Sequence, residues 1–182
     1  STGNERNVRV SSGSQAELVD SDFTMGNEFG VFVSRSSIAQ ITNSDLRDSG
    51  DVGLRCHNSI VTARGVNVSG AGGDGVVGLR GSSIDMTSST SGSPFVNTQI
   101  IGSGGQGVSL AENSSATLTN AVIQNSGKSG VSLTGCSKID ANDLESTGNT
   151  VTGVNCTFGS WFSCRNGVIK NNSLIDLRVS NG

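Results

Sequence analysis

Short alternations of apolar and polar residues recur along the chain at an almost constant spacing. Read in register, one such segment begins at Val8, Val31, Leu54, Val76, Val108, Val131, Val154 and Leu177. The intervals are 23, 23, 22, 32, 23, 23 and 23 residues. In segments such as Val31-Phe32-Val33 and Val108-Ser109-Leu110 the outer positions are apolar. The middle position is mostly polar, the period-two pattern of a strand with one buried face. Eight residues after each start a second pair follows, as in Ala39/Ile41, Ile84/Met86 and Ile139/Ala141. A third short segment ends in Phe23, Leu46, Val68, Ile100, Ile123 and Ile169, with Ser146 breaking the column and Leu144 nearby as a substitute. Three short strands per repeat predict one coil of a solenoid, which buries its core only by stacking on its neighbours.

The bends repeat with the strands. Asp20, Asn43, Gly65, Asn97, Asn120, Asp143 and Asn166 occupy one column between the second and third segments. These residue types enter the left-handed region at least cost, so the column predicts a tight bend with positive φ. Between the first and second segments stands a column of serine: Ser14, Ser37, Ser59, Ser82, Ser114, Ser137 and Ser160. Stacked hydroxyls there can bond along the ladder or to local backbone. Gly30, Gly53, Gly75, Gly107, Gly130 and Gly153 close the third turn. The long interval holds an insertion at 87–96, with Pro94 and Phe95, and the short interval lacks one loop residue.

Three parallel strands per turn with an Asn column at one bend resemble the right-handed, single-stranded parallel β-helix of the pectate-lyase-like superfamily. The likeness covers residues 1–182 as a single all-β domain of about seven rungs, roughly 34 Å long at the usual strand spacing.

Composition would place the chain among disordered proteins, with 33% hydrophobic residues, 26 Gly and a single Pro. The periodicity overrules that reading. A net charge of −3 with scattered Lys and Arg leaves no basic stripe to neutralise phosphates, so nucleic acid is not expected as a partner. No apolar run reaches the length of a membrane helix, and no membrane insertion is expected. Cys56, Cys156 and Cys164 fall on inward strand positions and Cys136 in a turn. The inward three read as small core hydrophobes made in a reducing cytoplasm rather than as metal ligands; Cys156 and Cys164 share one rung and are close enough in sequence to pair, but nothing requires a disulfide. Gly70-Ala71-Gly72-Gly73-Asp74-Gly75 matches a dinucleotide fingerprint, but a strand follows it where a helix N-terminus is needed. No cofactor and no metal are expected.

In the family resembled, the active groove lies over the first strand of each rung. Outward residues on that face are Arg9, Phe32, Arg55, Val77, Ser109, Ser132, Asn155 and Arg178. The glycine-rich turn beside it carries Glu28, Asp51 and Asp74, the candidate catalytic carboxylates. Glycoside hydrolysis uses two carboxyl groups, about 5–5.5 Å apart for retention or about 6.5–9.5 Å for inversion. Glu28 stacked on Asp51 fits the first spacing and Glu28 with Asp74 the second. Arg55 and Arg80 are the only plausible bases for lyase chemistry. The stronger reading of the same carboxylates is as solvated turn residues, and of His57, the only histidine, as a turn residue. For ligand binding, Phe29 and Phe32 with Arg55, His57 and Arg80 make one patch, and Trp161 with Phe158 a second, which reads also as packing against a neighbouring subunit. Glu17, Asp85 and Asp140 form an outward line on non-adjacent rungs and read as solubility.

A Gly/Ser/Asn-rich β-helix without capping helices and with free cysteines is similar to a segment of a bacteriophage tailspike or tail fibre. That resemblance implies a homotrimer in the virion tail, made in the host cytoplasm, that binds bacterial cell-surface polysaccharide, with endoglycosidase activity in many of its members. A secreted polysaccharide lyase, epimerase or hydrolase module is the first alternative, and the rod of a bacterial surface adhesin the second.

Overall fold

The computed structural model describes residues 6–88 and 97–180. Most of the insertion, residues 89–96, lies outside them. All regular structure among the described residues is β, in three parallel sheets that the chain visits in turn. The first sheet has eight strands: Arg6–Val10, Phe29–Ser34, Val52–His57, Val76–Leu79, Val108–Leu110, Val131–Leu133, Thr152–Thr157 and Ile175–Ser180. The second has seven: Gln15–Val19, Ile38–Thr42, Ile60–Arg64, Ser83–Thr87, Ser115–Thr119, Lys138–Asn142 and Trp161–Arg165. The third has four, at Thr98–Ile101, Ala121–Gln124, Glu145–Thr147 and Val168–Lys170. The chain is a parallel β-solenoid of about seven turns.

Register follows the repeat. Val8 pairs with Val31, Val31 with Leu54, Leu54 with Val76, and Val76 with Val108. Inward residues therefore stack in columns, and Val31, Leu54, Ile41, Met86, Leu118, Ile123 and Leu133 are fully buried. At the last strand the inward Leu177 and Val179 are exposed, with no described rung beyond them.

The third sheet is shorter than the sequence pattern predicts. In the first three rungs its strand shrinks to isolated bridges joining Asp22, Asp45, Asn67 and Gln99. A side chain takes over one ladder bond there, the Ser21 amide donating to Ser44 Oγ, and beside it Asn67 Nδ2 donates to Asp45 Oδ1 at 3.2 Å. Ser146 keeps the inward register between Ile123 and Ile169. Its hydroxyl donates to the Gly153 carbonyl at 2.9 Å and accepts from Asn149 Nδ2 at 3.2 Å, which satisfies it inside the core. Leu144 fills a different inward position, in line with Ala121, and substitutes for nothing.

Positive φ marks the bends. Asp20, Asn43, Gly65, Asn120, Asp143 and Asn166 have φ between 47° and 58°, as their column predicts. The first bend carries two consecutive left-handed residues in most rungs, for example Arg35-Ser36, Arg80-Gly81 and Glu112-Asn113. In the short rung only Asn58 is left-handed, which locates the missing residue. A third such column, Met25, Asp48, Gly70, Gly102, Asn125, Gly148 and Asn171, escapes the sequence reading because its residue types are mixed. The serine ladder forms. Ser37, Ser82 and Ser114 each donate Oγ–H to the carbonyl three residues earlier at 2.6–2.7 Å. The amides of Ser37, Ser82 and Ser137 donate to the serine hydroxyl of the next rung at 3.2–3.3 Å.

The glycine column has a steric origin. A Cβ at Gly107 would run into Ile123 Cγ2 and lie 2.6 Å from the Gly130 carbonyl oxygen. All four cysteines are free thiols. Cys56 and Cys156 are buried and donate to the carbonyls of Ser59 and Ser160. Burial pushes the Cys56 thiol up to about 11.

Gly107→Ala is expected to destabilise the fold by about 1–3 kcal/mol, the range for overpacking a tight interior. Gly81→Asn, at φ +69° with open space around it, should cost less than about 1 kcal/mol because Asn tolerates the left-handed region. Urea unfolding of the two variants checks the contrast, and equal losses would contradict the steric account.

Candidate functional site

The outward face of the first sheet carries the candidate site. Strand pairing sets Arg9, Phe32, Arg55, Val77, Ser109, Ser132, Asn155 and Arg178 in one column. Apart from Arg178 at its far end, large side chains stand on four consecutive rungs at its start. Stacking at strand spacing interleaves cations and rings there: the Arg9 guanidinium lies 5.7 Å from the Phe32 ring centre, and Arg55 lies 5.7 Å from Phe32 and 5.3 Å from Phe29. The two rings are 5.3 Å apart and tilted by 38°. Such contacts contribute about 0.5–1 kcal/mol each at a surface and more when desolvated. Phe29 is buried against Val52 and Val77, so it supports the ridge from below, while Phe32 is half-buried and forms its accessible face.

Two depressions flank this ridge. The larger, about 810 Å³ and open, is lined by Arg9, Phe32, Ser34, Arg35, His57, Asn58 and Arg80. Arg35 and Arg80 stand on left-handed turn positions, which project them beside the sheet. Arg80 Nε lies 3.5 Å from Glu112 Oε2 in an exposed pair. The His57 pKa is lowered by burial first, then by Arg80 and Arg55, against an opposing pull from Glu112. The depression is thus a cationic bowl with one aromatic wall. Ser34 Oγ in its lining is buried and makes no hydrogen bond.

The smaller depression, about 420 Å³, lies on the side of the glycine-rich turn. Asp51, Arg55, Asp74 and Lys128 line it over a floor that includes Gly72, Gly73, Gly104 and Gly105. A Cβ at Gly72 or Gly104 would strike the carbonyl oxygen of Gly50 or Gly72 on the previous rung, so the floor stays bare. Asp51 is exposed, and its amide donates to the Glu28 carbonyl at 3.0 Å, which stacks the two residues as the repeat predicts. Asp74 is half-buried, and its Oδ1 accepts the Gln106 amide at 2.7 Å. Part of that carboxylate is therefore committed to the backbone ladder. Glu28 lines neither depression.

The structure thus brings Phe29, Phe32, Arg55, His57 and Arg80 together, and places Asp51 and Asp74 across the ridge from the bowl. Trp161 stands elsewhere, 55% exposed on the outward face of the second sheet. Lys128 escapes the sequence reading, although it continues the Glu28–Asp51 column through Gly73 and Gly105. Among the described residues, no three His, Cys, Asp or Glu side chains gather where they could hold a metal ion. No described helix is long and apolar enough to cross a membrane. No protein-family model, curated protein or solved structure matches the chain.

His57 should titrate below the usual value of 6.5 for histidine, and Arg80→Ala should move it upward by removing one repelling cation. Proton NMR across the acid range measures both, and an unmoved value in the variant would remove Arg80 as a cause. Because folding holds this imidazole less basic, its contribution to stability is complete above pH 6.5 and is lost as pH falls toward the folded value.

Proposed function

We propose that this β-solenoid is a segment of a bacteriophage tailspike or tail fibre that holds bacterial cell-surface polysaccharide along its first sheet. The observation that carries the reading is the Arg9–Phe32–Arg55 ridge flanked by the cationic bowl. A sugar ring presents one apolar face that stacks on an aromatic, and its hydroxyl or acidic groups bond to surrounding polar side chains. Four arginines and His57 at the ridge favour sugars bearing carboxylate, sulfate or phosphate, since guanidinium matches such groups in two-point geometry. The virion tail is the corresponding location, and a homotrimer the corresponding assembly.

Bond cleavage is the second reading, as in a secreted hydrolase or lyase module. Asp51 and Asp74 favour it, because they share the smaller depression with Arg55 and Lys128.

Calorimetry with a galacturonate hexamer, against maltohexaose, tests the binding site. The acidic chain should bind more tightly and lose affinity with added salt. Phe32→Ala should weaken binding by about 1 kcal/mol, and Arg80→Ala by a similar amount. Saturable binding that ignores both variants would remove the ridge. In parallel, Asp51→Asn and Asp74→Asn should abolish release of reducing ends while sparing affinity, if a bond is cut; no release by the parent protein leaves a binding role alone.

Light scattering at two concentrations is expected to give three times the 18.5 kDa chain mass. A monomer at both would count against the spike assembly and favour the single-chain module.

A further inference from the structure

The second sheet carries another depression, about 270 Å³, on an outward face unrelated to the ridge. It crosses four consecutive rungs, from the Ser83–Thr87 strand to the Trp161–Arg165 strand. Pairing puts Asp85, Thr117 and Asp140 in one outward column, and Ser115, Lys138 and Trp161 in the next. Trp161 is the only tryptophan of the chain and stands 55% exposed at one end of this trough.

The charges in the trough are not spent on one another. Among the described residues, neither Lys138 nor the two aspartates form an ion pair, and Asp85 Oδ1 is shut off from solvent without any hydrogen-bond donor. Thr117 separates Asp85 from Asp140, so the carboxylates are two rungs apart, about 9.6 Å along the axis at normal strand spacing. That is too far to share a proton and far enough to engage different groups of one extended ligand. A flat protein partner would have to desolvate three charges here at a cost of several kcal/mol. Sugar hydroxyls, which donate and accept at once, replace the water bonds of carboxylate and ammonium alike and so offset that cost. An indole beside paired acceptors is also the arrangement that stacks a pyranose ring.

We infer that the Trp161–Asp140–Asp85 trough is a second saccharide-binding site, selective for neutral sugar chains laid along the solenoid axis. Two carboxylates against one ammonium make it net acidic, the opposite of the bowl on the first sheet, so acidic sugars are excluded from it. Asp χ2 is a soft torsion, and rotation about it turns the unpartnered Asp85 oxygen toward a hydroxyl of the bound chain. The inference stands on its own residues and survives if the first sheet binds nothing.

The lone tryptophan makes the test site-specific. Its emission is followed while maltohexaose, cellohexaose and chitohexaose are titrated in turn into the full chain. At least one should give a saturable shift that persists in high salt and in Arg80→Ala. Asp140→Ala should weaken that binding about tenfold, the scale of one hydrogen bond to a charged group. Trp161→Phe, followed by calorimetry, should retain most of the affinity and Trp161→Ala should lose it. Circular dichroism melts show that each variant is folded. Absence of a saturable shift with all three hexamers, or a shift of equal midpoint in Asp140→Ala, would overturn the site.

Discussion

Rung-to-rung backbone hydrogen bonding, continued through the bends as well as the strands, is the constraint on which the rest of this structure depends. Gly50 donates to the Gly26 carbonyl, Gly73 to Asp51, Gly105 to Gly73 and Lys128 to Gly105, all within turns. Because each residue meets its counterpart in the next coil, the number of residues per coil can change only where the chain can bulge outward. The two departures from the 23-residue period both fall between strands, not within one. The deleted residue comes out of the first bend at Asn58, and the insertion enters beyond the second strand after Thr87.

The same ladder explains which side chains each corner accepts. Where a third-strand side chain such as Ile123 packs under the following turn, only a glycine fits, and the column of glycines results. Where the corner interior is polar, side chains supply the missing backbone partners. Asn149 Oδ1 accepts the Ser126 amide and Asn172 Oδ1 accepts the Asn149 amide, each at 3.0 Å. Asp74 does the same for Gln106. A residue that looks catalytic in the sequence is thus partly a rung of the scaffold.

Stacking also creates the surface chemistry. A column repeats one side-chain environment every rung, so an arginine, a phenylalanine and an arginine in succession become a cation–π stack without any dedicated loop. Small residues in the later rungs, Ser109, Ser132 and Asn155, end the ridge simply by offering nothing to stack. On the second sheet the alternation of Asp85, Thr117 and Asp140 spaces two carboxylates where direct neighbours would repel one another.

The sequence by itself determined the period, the three-sided coil, the inward columns and the left-handed bend between the second and third strands, because each is set by local alternation and by residue types that tolerate positive φ. It also placed the outward column of the first sheet, since strand register follows from the repeat. Tertiary structure alone decided how far each segment pairs: the early third strands shrink to bridges, and beside them the Ser44 hydroxyl takes the Ser21 amide. It separated Phe29, buried as support, from Phe32, half-buried at the surface, although both lie on the same strand. It revealed that Ser146 is satisfied in the core, that Lys128 joins Asp51 and Asp74, and that Trp161 overlooks a trough of unpaired charges. Those outcomes depend on neighbours a rung or more away, whose side-chain directions and burial no local pattern encodes.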